Sequence, residues 1–177
     1  MLNFQSLKNT QHLRLGIFIG VVCLLSFGYF LQYIEGLEPC PLCITQRFFL
    51  FISGCLGLLV FLHNPAKVGT RVYSAIGSLM AMAGAGFASR QLYLQSLPAD
   101  QAPACGPSID FIFQTFPLAD ALSILLRGDG NCAEVAWRFL GLSIPGWTVI
   151  AFTCIAIAWL LQLRNDNTSN DSSNITD

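Results

Sequence analysis

Four runs of uncharged, mostly apolar residues alternate with short charged stretches along the chain. The first extends from Leu15 to Ile34, between Arg14 and Glu35. The second lies between Arg47 and His63 and reaches back through Ile44, Thr45 and Gln46. The third, Val72 to Ser89, lies between Arg71 and Arg90 and is rich in Gly and Ala; the fourth lies between Arg138 and Arg164. Each approaches the roughly 20 apolar residues that a helix needs to cross a bilayer. Lipid offers the backbone no hydrogen-bonding partner, so each run predicts a helix. The expected spans are 15–34, 44–62, 72–90 and 144–163, the last opened by Ser143 as cap and Pro145 in the first turn. The first run is longer than the roughly 7–15-residue apolar core of a cleaved signal peptide, and no small-x-small site follows it, so it reads as a retained span.

The polar segments orient these spans, because Lys and Arg accumulate in short cytoplasmic loops. Lys8 and Arg14 precede the first span, Lys67 and Arg71 follow the second, and Arg164 follows the fourth. The loop at 35–43 carries Glu35 and Glu38 and no base; Gln91 to Trp137 holds Asp100, Asp110, Asp120, Asp129 and Glu134 against Arg127 alone. Segments 1–14, 63–71 and 164–177 are therefore expected in the cytoplasm, and loops 35–43 and 91–143 outside, which in a bacterium means the periplasm. The tail from Asn165 is mostly Asn, Ser, Thr and Asp and is expected to be disordered. The long outer loop is too apolar to run free. Phe111, Ile112, Phe113, Phe116, Leu118, Leu122, Ile124, Leu125 and Leu126 predict a short amphipathic helix in the interface, with Asp120 and Arg127 toward water. Composition agrees with a bilayer as solvent: 11% of residues are charged, against roughly 25% in a soluble domain. A net charge of −1 gives no reason to expect a nucleic-acid partner.

Depth in the membrane sorts the seven cysteines. Cys23, Cys55 and Cys154 fall within spans, where a thiol has no reason to ionise, and read as small buried apolar residues. Cys40 and Cys43 lie in the first outer loop, Cys105 and Cys132 in the second, on a side where disulfides persist. Cys40-Pro41-Leu42-Cys43 is a Cys-x-x-Cys pair, which serves either as half of an all-cysteine zinc site completed by Cys105 and Cys132 or as a redox couple. Three details favour redox. Cys105 and Cys132 are 27 positions apart and form no second short-spaced knuckle. Pro39 and Pro41 prevent a helix upstream, so Cys43 falls in the first turn of the second span, where backbone N–H groups and the helix dipole favour a thiolate. Arg47, four residues on, shares its helical face and would lower the thiol further, from about 8.5 to roughly 4–7. Arg47 fits equally an interfacial anchor that snorkels, although an ionisable residue at a span edge beside a redox pair points to function. The chain has no flavin fingerprint, no haem Cys-x-x-Cys-His and no iron–sulfur spacing. The ready electron acceptor is then a lipid-soluble quinone, whose carbonyl oxygens suit an Arg donor.

Three features are together specific: Pro39-Cys-Pro-Leu-Cys-Ile-Thr-Gln-Arg47, the cysteine pair of the long loop, and Asn131-Cys-Ala-Glu-Val-Ala-Trp-Arg-Phe-Leu-Gly-Leu142 followed by Ile144-Pro-Gly-Trp147. On these the chain resembles the DsbB family, disulfide bond formation protein B of bacterial inner membranes, from the first span to the fourth. The spans already predict an all-α membrane protein, a four-transmembrane-helix bundle with a long periplasmic loop carrying a short interfacial helix. The resemblance implies the same fold, as a monomer without a metal. It implies an oxidoreductase that reoxidises a DsbA-type periplasmic partner and hands the electrons to ubiquinone or menaquinone. Residue by residue, it implies disulfides Cys40–Cys43 and Cys105–Cys132. Cys105 would take up the mixed disulfide with the partner, Cys132 would exchange with Cys40, Cys43 would face the quinone as thiolate, and Arg47 would orient it. The long loop is expected to move to bring its cysteine to the first loop. Some members carry a His near the outer end of the third span; here the stretch reads Ser89-Arg-Gln-Leu-Tyr-Leu-Gln-Ser96. Both His12 and His63 fall on the cytoplasmic side, leaving Arg90, Gln91 and Gln95 as candidates for polar contact, with Arg90 reading as a helix-end anchor. Three other readings compete. A vitamin K epoxide reductase-like bundle places its Cys-x-x-Cys in a late helix, a zinc-stapled scaffold would use the same four cysteines, and a small transporter would need a mid-membrane charge that these spans lack.

Overall fold

The computed structural model describes residues 4–98, 101–107 and 109–174. Asp100 and tail residues 175–177 lie outside them. The elements run α1 (Phe4–Tyr33), α2 (Pro41–His63), α3 (Lys67–Ser96), α4 (Ile109–Thr115), α5 (Leu118–Arg127), a 3-10 turn (Gly130–Cys132), β1 (Arg138–Phe139), β2 (Leu142–Ser143) and α6 (Ile144–Asn174). Four helices contain windows long and apolar enough to cross a membrane: Gln11–Tyr33, Pro41–His63, Val68–Ser96 and Ile144–Arg164. The shortest has 21 residues, which at the α-helical rise spans about 31 Å, the thickness of a bilayer's hydrocarbon. The chain is a multi-pass membrane protein built as the expected four-helix bundle. α3 packs most extensively on α6 and next on α2, and α1 packs on α2.

Small residues set these approaches. In α3, Gly77 lies against the Trp159 indole and Gly84 against the Phe152 ring, and a Cβ at either would overlap it. Both aromatic side chains are fully buried. Gly54 of α2 likewise receives Val21 of α1. Lipid tails are as apolar as the helices, so helices in a membrane associate through close packing and polar contacts, which these glycines permit. Trp159 Nε1 donates to Ser53 Oγ at 3.1 Å. A second polar clamp lies one turn of α6 further on, at the end of the bundle where α1 enters and α2 stops. Arg14 of α1, buried, donates to Asn64 Oδ1 at 3.2 Å and Thr70 Oγ1 at 3.3 Å. The Gln162 amide, turned with its oxygen toward the guanidinium, accepts from Arg14 Nε at 2.9 Å. One side chain thus ties α1 to α3, to α6 and to the residue that ends α2.

The structure departs from the sequence reading in five places. The helices outrun the apolar runs: α3 starts at Lys67 and continues past Arg90 to Ser96. Charge marks where lipid ends, and helical hydrogen bonding carries on beyond that point. For the same reason α6 continues through the polar tail to Asn174 instead of giving way to disorder at Asn165; extending a nucleated helix adds one hydrogen bond per residue without the cost of a new nucleus. The interfacial helix is two helices, α4 and α5, because Pro117 separates them. They leave Phe111, Phe113, Leu118 and Leu122 exposed while Ile112, Ala121 and Leu125 turn inward. Ser143, read as the cap of α6, directly precedes that helix and donates its hydroxyl to Gln95 Oε1 at 2.7 Å. It ends a hairpin, Arg138 opposite Ser143 and Phe139 opposite Leu142, turned by Leu140 and Gly141, both at positive φ as a two-residue β-hairpin loop requires. Finally, Cys23 and Cys154 are exposed and Cys55 is half-buried. Their burial is in the surrounding hydrocarbon, among other outward residues such as Ile19, Phe27 and Ile157, and not inside the bundle.

Candidate active site

α2 begins where its prolines demand. Cys40 has extended φ/ψ as N-cap, Pro41 occupies the first helical position, and Ile44 N donates to Cys40 O at 3.2 Å as the helix opens. Pro at this position loses nothing, since its missing N–H would have had no helical partner. Cys43 therefore sits in the first turn, and its sulfur is 2.7 Å from that of Cys40. Cys40 is buried and Cys43 half-buried.

Gln91 of α3 meets both sulfurs. Its Nε2 lies 3.2 Å from Cys40 Sγ and 3.3 Å from Cys43 Sγ. Its Oε1 accepts from Gln46 Nε2 at 2.7 Å. Gln46 and Gln91 are 4% and 3% exposed, so this amide pair is held in the interior and its orientation is set by partners rather than by water.

The outer loop docks onto the start of α2. Thr45 Oγ1 lies 3.1 Å from Leu125 O of α5 and donates also to Pro41 O within its own helix. Gly128 ends α5 at φ 73, ψ 163, a region that essentially only Gly enters. A Cβ there would stand 2.8 Å from Leu42 Cδ1. The next turn is capped by Asp129, whose carboxylate accepts from Asn131 N at 3.1 Å. Gly130 N donates to Ala104 O at 3.0 Å, and the absence of a side chain at Gly130 lets the loop segment at 103–105 pass. The result places Cys132, fully buried, in one cluster with Cys40, Leu42 and Leu94. The hydrogen bond between Cys40 and Cys132 is the first cause that pushes the Cys40 thiol up, its bond to Cys43 and burial adding to it. The same bond is the first cause that pulls the Cys132 thiol down, against desolvation. Cys40 holds the proton and Cys132 is the more acidic partner.

Cys40 and Cys43 open on their other side into a cavity of about 350 Å³. Its walls are mostly apolar, from Leu24, Phe27, Leu31, Leu50, Trp137 and Trp147, with Arg47 as its cation. Arg47 is fixed from three directions. It donates to Gln32 Oε1 and to Gly28 O, and its guanidinium carbon lies 5.0 Å from the Tyr29 ring centre. The 138–143 hairpin closes one flank, where Trp137 packs on Phe27 and Phe139 and Trp147 Nε1 donates to Phe139 O.

Of the expected site residues, Cys40, Cys43, Cys132 and Arg47 come together. Cys105 is exposed, on a loop segment beside the 130–132 turn but outside the cluster. Among the described residues, no group of three or more His, Cys, Asp or Glu side chains is gathered as a metal ion would need. The loop was expected to have to move; Cys132 already lies beside Cys40, because Gly128 and Gly130 let the loop close on α2. Gln91 is in the site and Arg90 is exposed, while Gln95 braces the loop by accepting from Ser143 Oγ at 2.7 Å and donating to Glu134 O. Gln46 escaped sequence reasoning. Its one signal was position: an amide three residues after Cys43, between that thiol and Arg47.

Comparison with known proteins agrees with this geometry. Residues 10–162 match the family model described as "Disulfide bond formation protein DsbB". The chain is 49% identical over 142 residues to disulfide bond formation protein B of Hahella chejuensis, covering 80% of this chain and 86% of that one. It is 48% identical over 159 residues to the protein of the same name from Saccharophagus degradans, 89% and 96% of the two chains. With that of Marinobacter nauticus it shares 49% over 147 residues, 83% and 88%.

Proposed function

This chain belongs to the DsbB family of disulfide bond formation proteins, and we propose that it carries out that family's thiol oxidation through a relay of Cys105, Cys132, Cys40 and Cys43. It is a membrane oxidoreductase that reoxidises a DsbA-type partner and passes the electrons to quinone. The observation that carries the residue assignment is the position of Cys40, in contact with Cys43 on one side and Cys132 on the other.

At rest the pairs are Cys40–Cys43 and Cys105–Cys132. Exposed Cys105 receives the partner's thiolate: the Cys105–Cys132 bond breaks, a mixed disulfide forms at Cys105, and the electron pair leaves on Cys132. The partner's second thiol, as thiolate, resolves the mixed disulfide and leaves Cys105 reduced. The Cys132 thiolate then attacks Cys40 Sγ, forming Cys40–Cys132 and leaving Cys43 as thiolate. Attack of the Cys105 thiolate on Cys132 restores the loop pair and leaves Cys40 and Cys43 reduced. Each exchange requires an in-line thiolate attack, and the placement of Cys132 in one cluster with Cys40 suits that direction. A quinone, when bound, accepts two electrons and two protons. The residues fit one: an apolar cavity of ring size, a thiol on its wall, and a fixed guanidinium for a carbonyl oxygen. Arg47 would hold it against Cys43, and ubiquinone or menaquinone would both be accommodated by these contacts. The site lies on the periplasmic side of the inner membrane, with both termini cytoplasmic, as the Lys and Arg distribution requires, and the protein acts as a monomer. Alkaline phosphatase fused after Ala104 is expected to be active and fused after Lys67 inactive; the reverse pattern would invert the topology.

The deciding experiment is thiol trapping on purified protein with ubiquinone. All four outer thiols should cycle, and Cys43→Ser should abolish quinone reduction. Normal quinone reduction by Cys43→Ser would overturn the relay.

A further inference from the structure

We propose that Gln91 is a positioning residue for the Cys40–Cys43 pair, oriented by Gln46 so that its amide N–H group stands nearer the two sulfurs than its carbonyl, which is 3.7 Å from Cys43 Sγ. The inference rests on the relay for its purpose but not for its geometry. A glutamine amide has two faces of similar shape, one donating and one accepting, and an unconstrained one would present either. Here the choice is made. Gln46 Nε2 donates to Gln91 Oε1 at 2.7 Å, which occupies the carbonyl and leaves the Gln91 NH₂ pointing at Cys40 Sγ, 3.2 Å away, and Cys43 Sγ, 3.3 Å away. Both amides are almost fully buried, so turning Gln91 over would set donor against donor and turning Gln46 over would set acceptor against acceptor, at the cost of an unmade buried hydrogen bond.

The orientation matters at one moment. When a thiolate attacks Cys40, the Cys40–Cys43 bond breaks, a bond between Cys40 and the attacking sulfur forms, and the electron pair departs on Cys43 Sγ with no proton transferred. The charge on Cys43 then meets an N–H already aimed at it. A neutral disulfide gains little from that donor, whereas a thiolate gains a charge-assisted hydrogen bond, roughly twice as strong as a neutral one. Gln91 therefore favours the opened pair over the closed one. Gln46 acts only by holding Gln91, and Arg47 stands on the cavity side, so the three polar groups around Cys43 have separate duties.

The test measures each disulfide's equilibrium with glutathione in the full chain, quinone-free and in detergent, with the state of each pair read by trapping and mass spectrometry. Gln91→Leu removes the donor. Gln91→Glu keeps the size and the bond from Gln46 but turns a carboxylate toward the sulfurs, so the result does not depend on Gln91→Leu folding. In both variants the Cys40–Cys43 equilibrium should move about tenfold toward the disulfide, which is about 30 mV for a two-electron couple. The Cys105–Cys132 equilibrium, measured in the same sample, should stay within twofold. Gln46→Leu should move the first pair in the same direction by a smaller factor. A Cys40–Cys43 equilibrium unchanged in Gln91→Glu, or an equal shift in both pairs, overturns the proposal. Because no quinone or partner takes part, this outcome is independent of whether Cys43→Ser abolishes quinone reduction.

Discussion

Gly128→Ala should uncouple the outer loop from α2 while leaving the bundle intact. Two costs arise at this position. Gly128 has φ 73 and ψ 163, and a residue with a Cβ held there costs about 1–3 kcal/mol. The new Cβ would also stand 2.8 Å from Leu42 Cδ1, 2.9 Å from Leu42 Cγ and 3.4 Å from Cys132 Sγ. Leu42 has no exposed surface into which it can swing, and overpacking of this kind costs about 1–3 kcal/mol. The lower bounds together make about 2 kcal/mol against the docked loop, close to a 30-fold change in its equilibrium. The assay uses the full chain with Cys43→Ser and Cys105→Ser, which leaves Cys40 and Cys132 as the outer cysteines. The effective concentration of the Cys40–Cys132 disulfide against glutathione then reports how well the loop docks. Adding Gly128→Ala should lower it about 30-fold or more, whereas the bundle's thermal midpoint should hardly change, because α5 and the loop lie outside the α3–α6 core. An effective concentration within threefold of the parent would refute the reasoning and mean that Cys132 reaches Cys40 by some other geometry.

Three further outcomes follow from the same structure. Arg47→Met keeps the bulk of the side chain and removes the guanidinium from the cavity wall; the apparent quinone KM should rise about tenfold or more, the worth of a charged hydrogen bond, with all four outer cysteines still oxidisable, and an unchanged KM would reduce Arg47 to an anchor. The Cys132 thiol is pulled down chiefly by its hydrogen bond with Cys40, so in the reduced protein Cys132 becomes thiolate at a lower pH than an ordinary cysteine, and the pH–rate midpoint of its alkylation should lie below that reference although its burial slows the reaction itself; Cys40→Ala should move the midpoint upward, and a midpoint that stays put would sever the two. Arg14→Met leaves the buried acceptors of Thr70 and Gln162 without their donor, whereas exposed Asn64 can turn to water, and at about 1 kcal/mol for each lost buried bond the bundle should lose about 2 kcal/mol, read as a lower thermal midpoint in detergent with the glutathione equilibria of both cysteine pairs unchanged.

The sequence disclosed the parts of this molecule governed by period and solvent. Apolar runs between charges marked every spanning helix, and the spacing of Cys40, Cys43 and Arg47 placed all three at one helix start. Helix ends were poorly legible because the chain changes solvent at Arg90 and Arg164 without changing conformation there. The contact between Cys132 and Cys40 was illegible for a different reason. It depends on the backbone passing Leu42 at Gly128 and the 103–105 segment at Gly130, and loops have no periodicity that announces such approaches. Gln91 was legible as a candidate for polar contact but not as a partner of the cysteines, and Gln46 was hidden altogether. Each adjoins an arginine that dominates any reading of charge, and each looks like a tolerated polar residue near a span edge until its partner is seen across the interface between α2 and α3.

The burial of the cysteines follows the order of the relay. Cys105 is exposed, Cys132 has no exposed surface, Cys40 is 8% exposed, and Cys43 faces the cavity on the bundle side. A thiolate arriving from the aqueous side can reach only the first of these. On the loop side Cys132 and Cys40 are covered by Leu42 and Leu94, so a small thiol arriving there would have to displace the loop before it could reduce the inner pair directly. This accounts for holding Cys132 against Cys40 rather than presenting both loop cysteines to solvent. A relay whose middle sulfurs were open would allow the inner disulfide to be reduced without oxidising the partner. With them shielded, electrons enter at Cys105 and leave at Cys43, and the same docking contacts that place Cys132 for attack on Cys40 also exclude competing thiols. Loosening the loop at Gly128 should therefore cost the chain twice: slower exchange between the pairs, and faster reduction of Cys40–Cys43 by free glutathione.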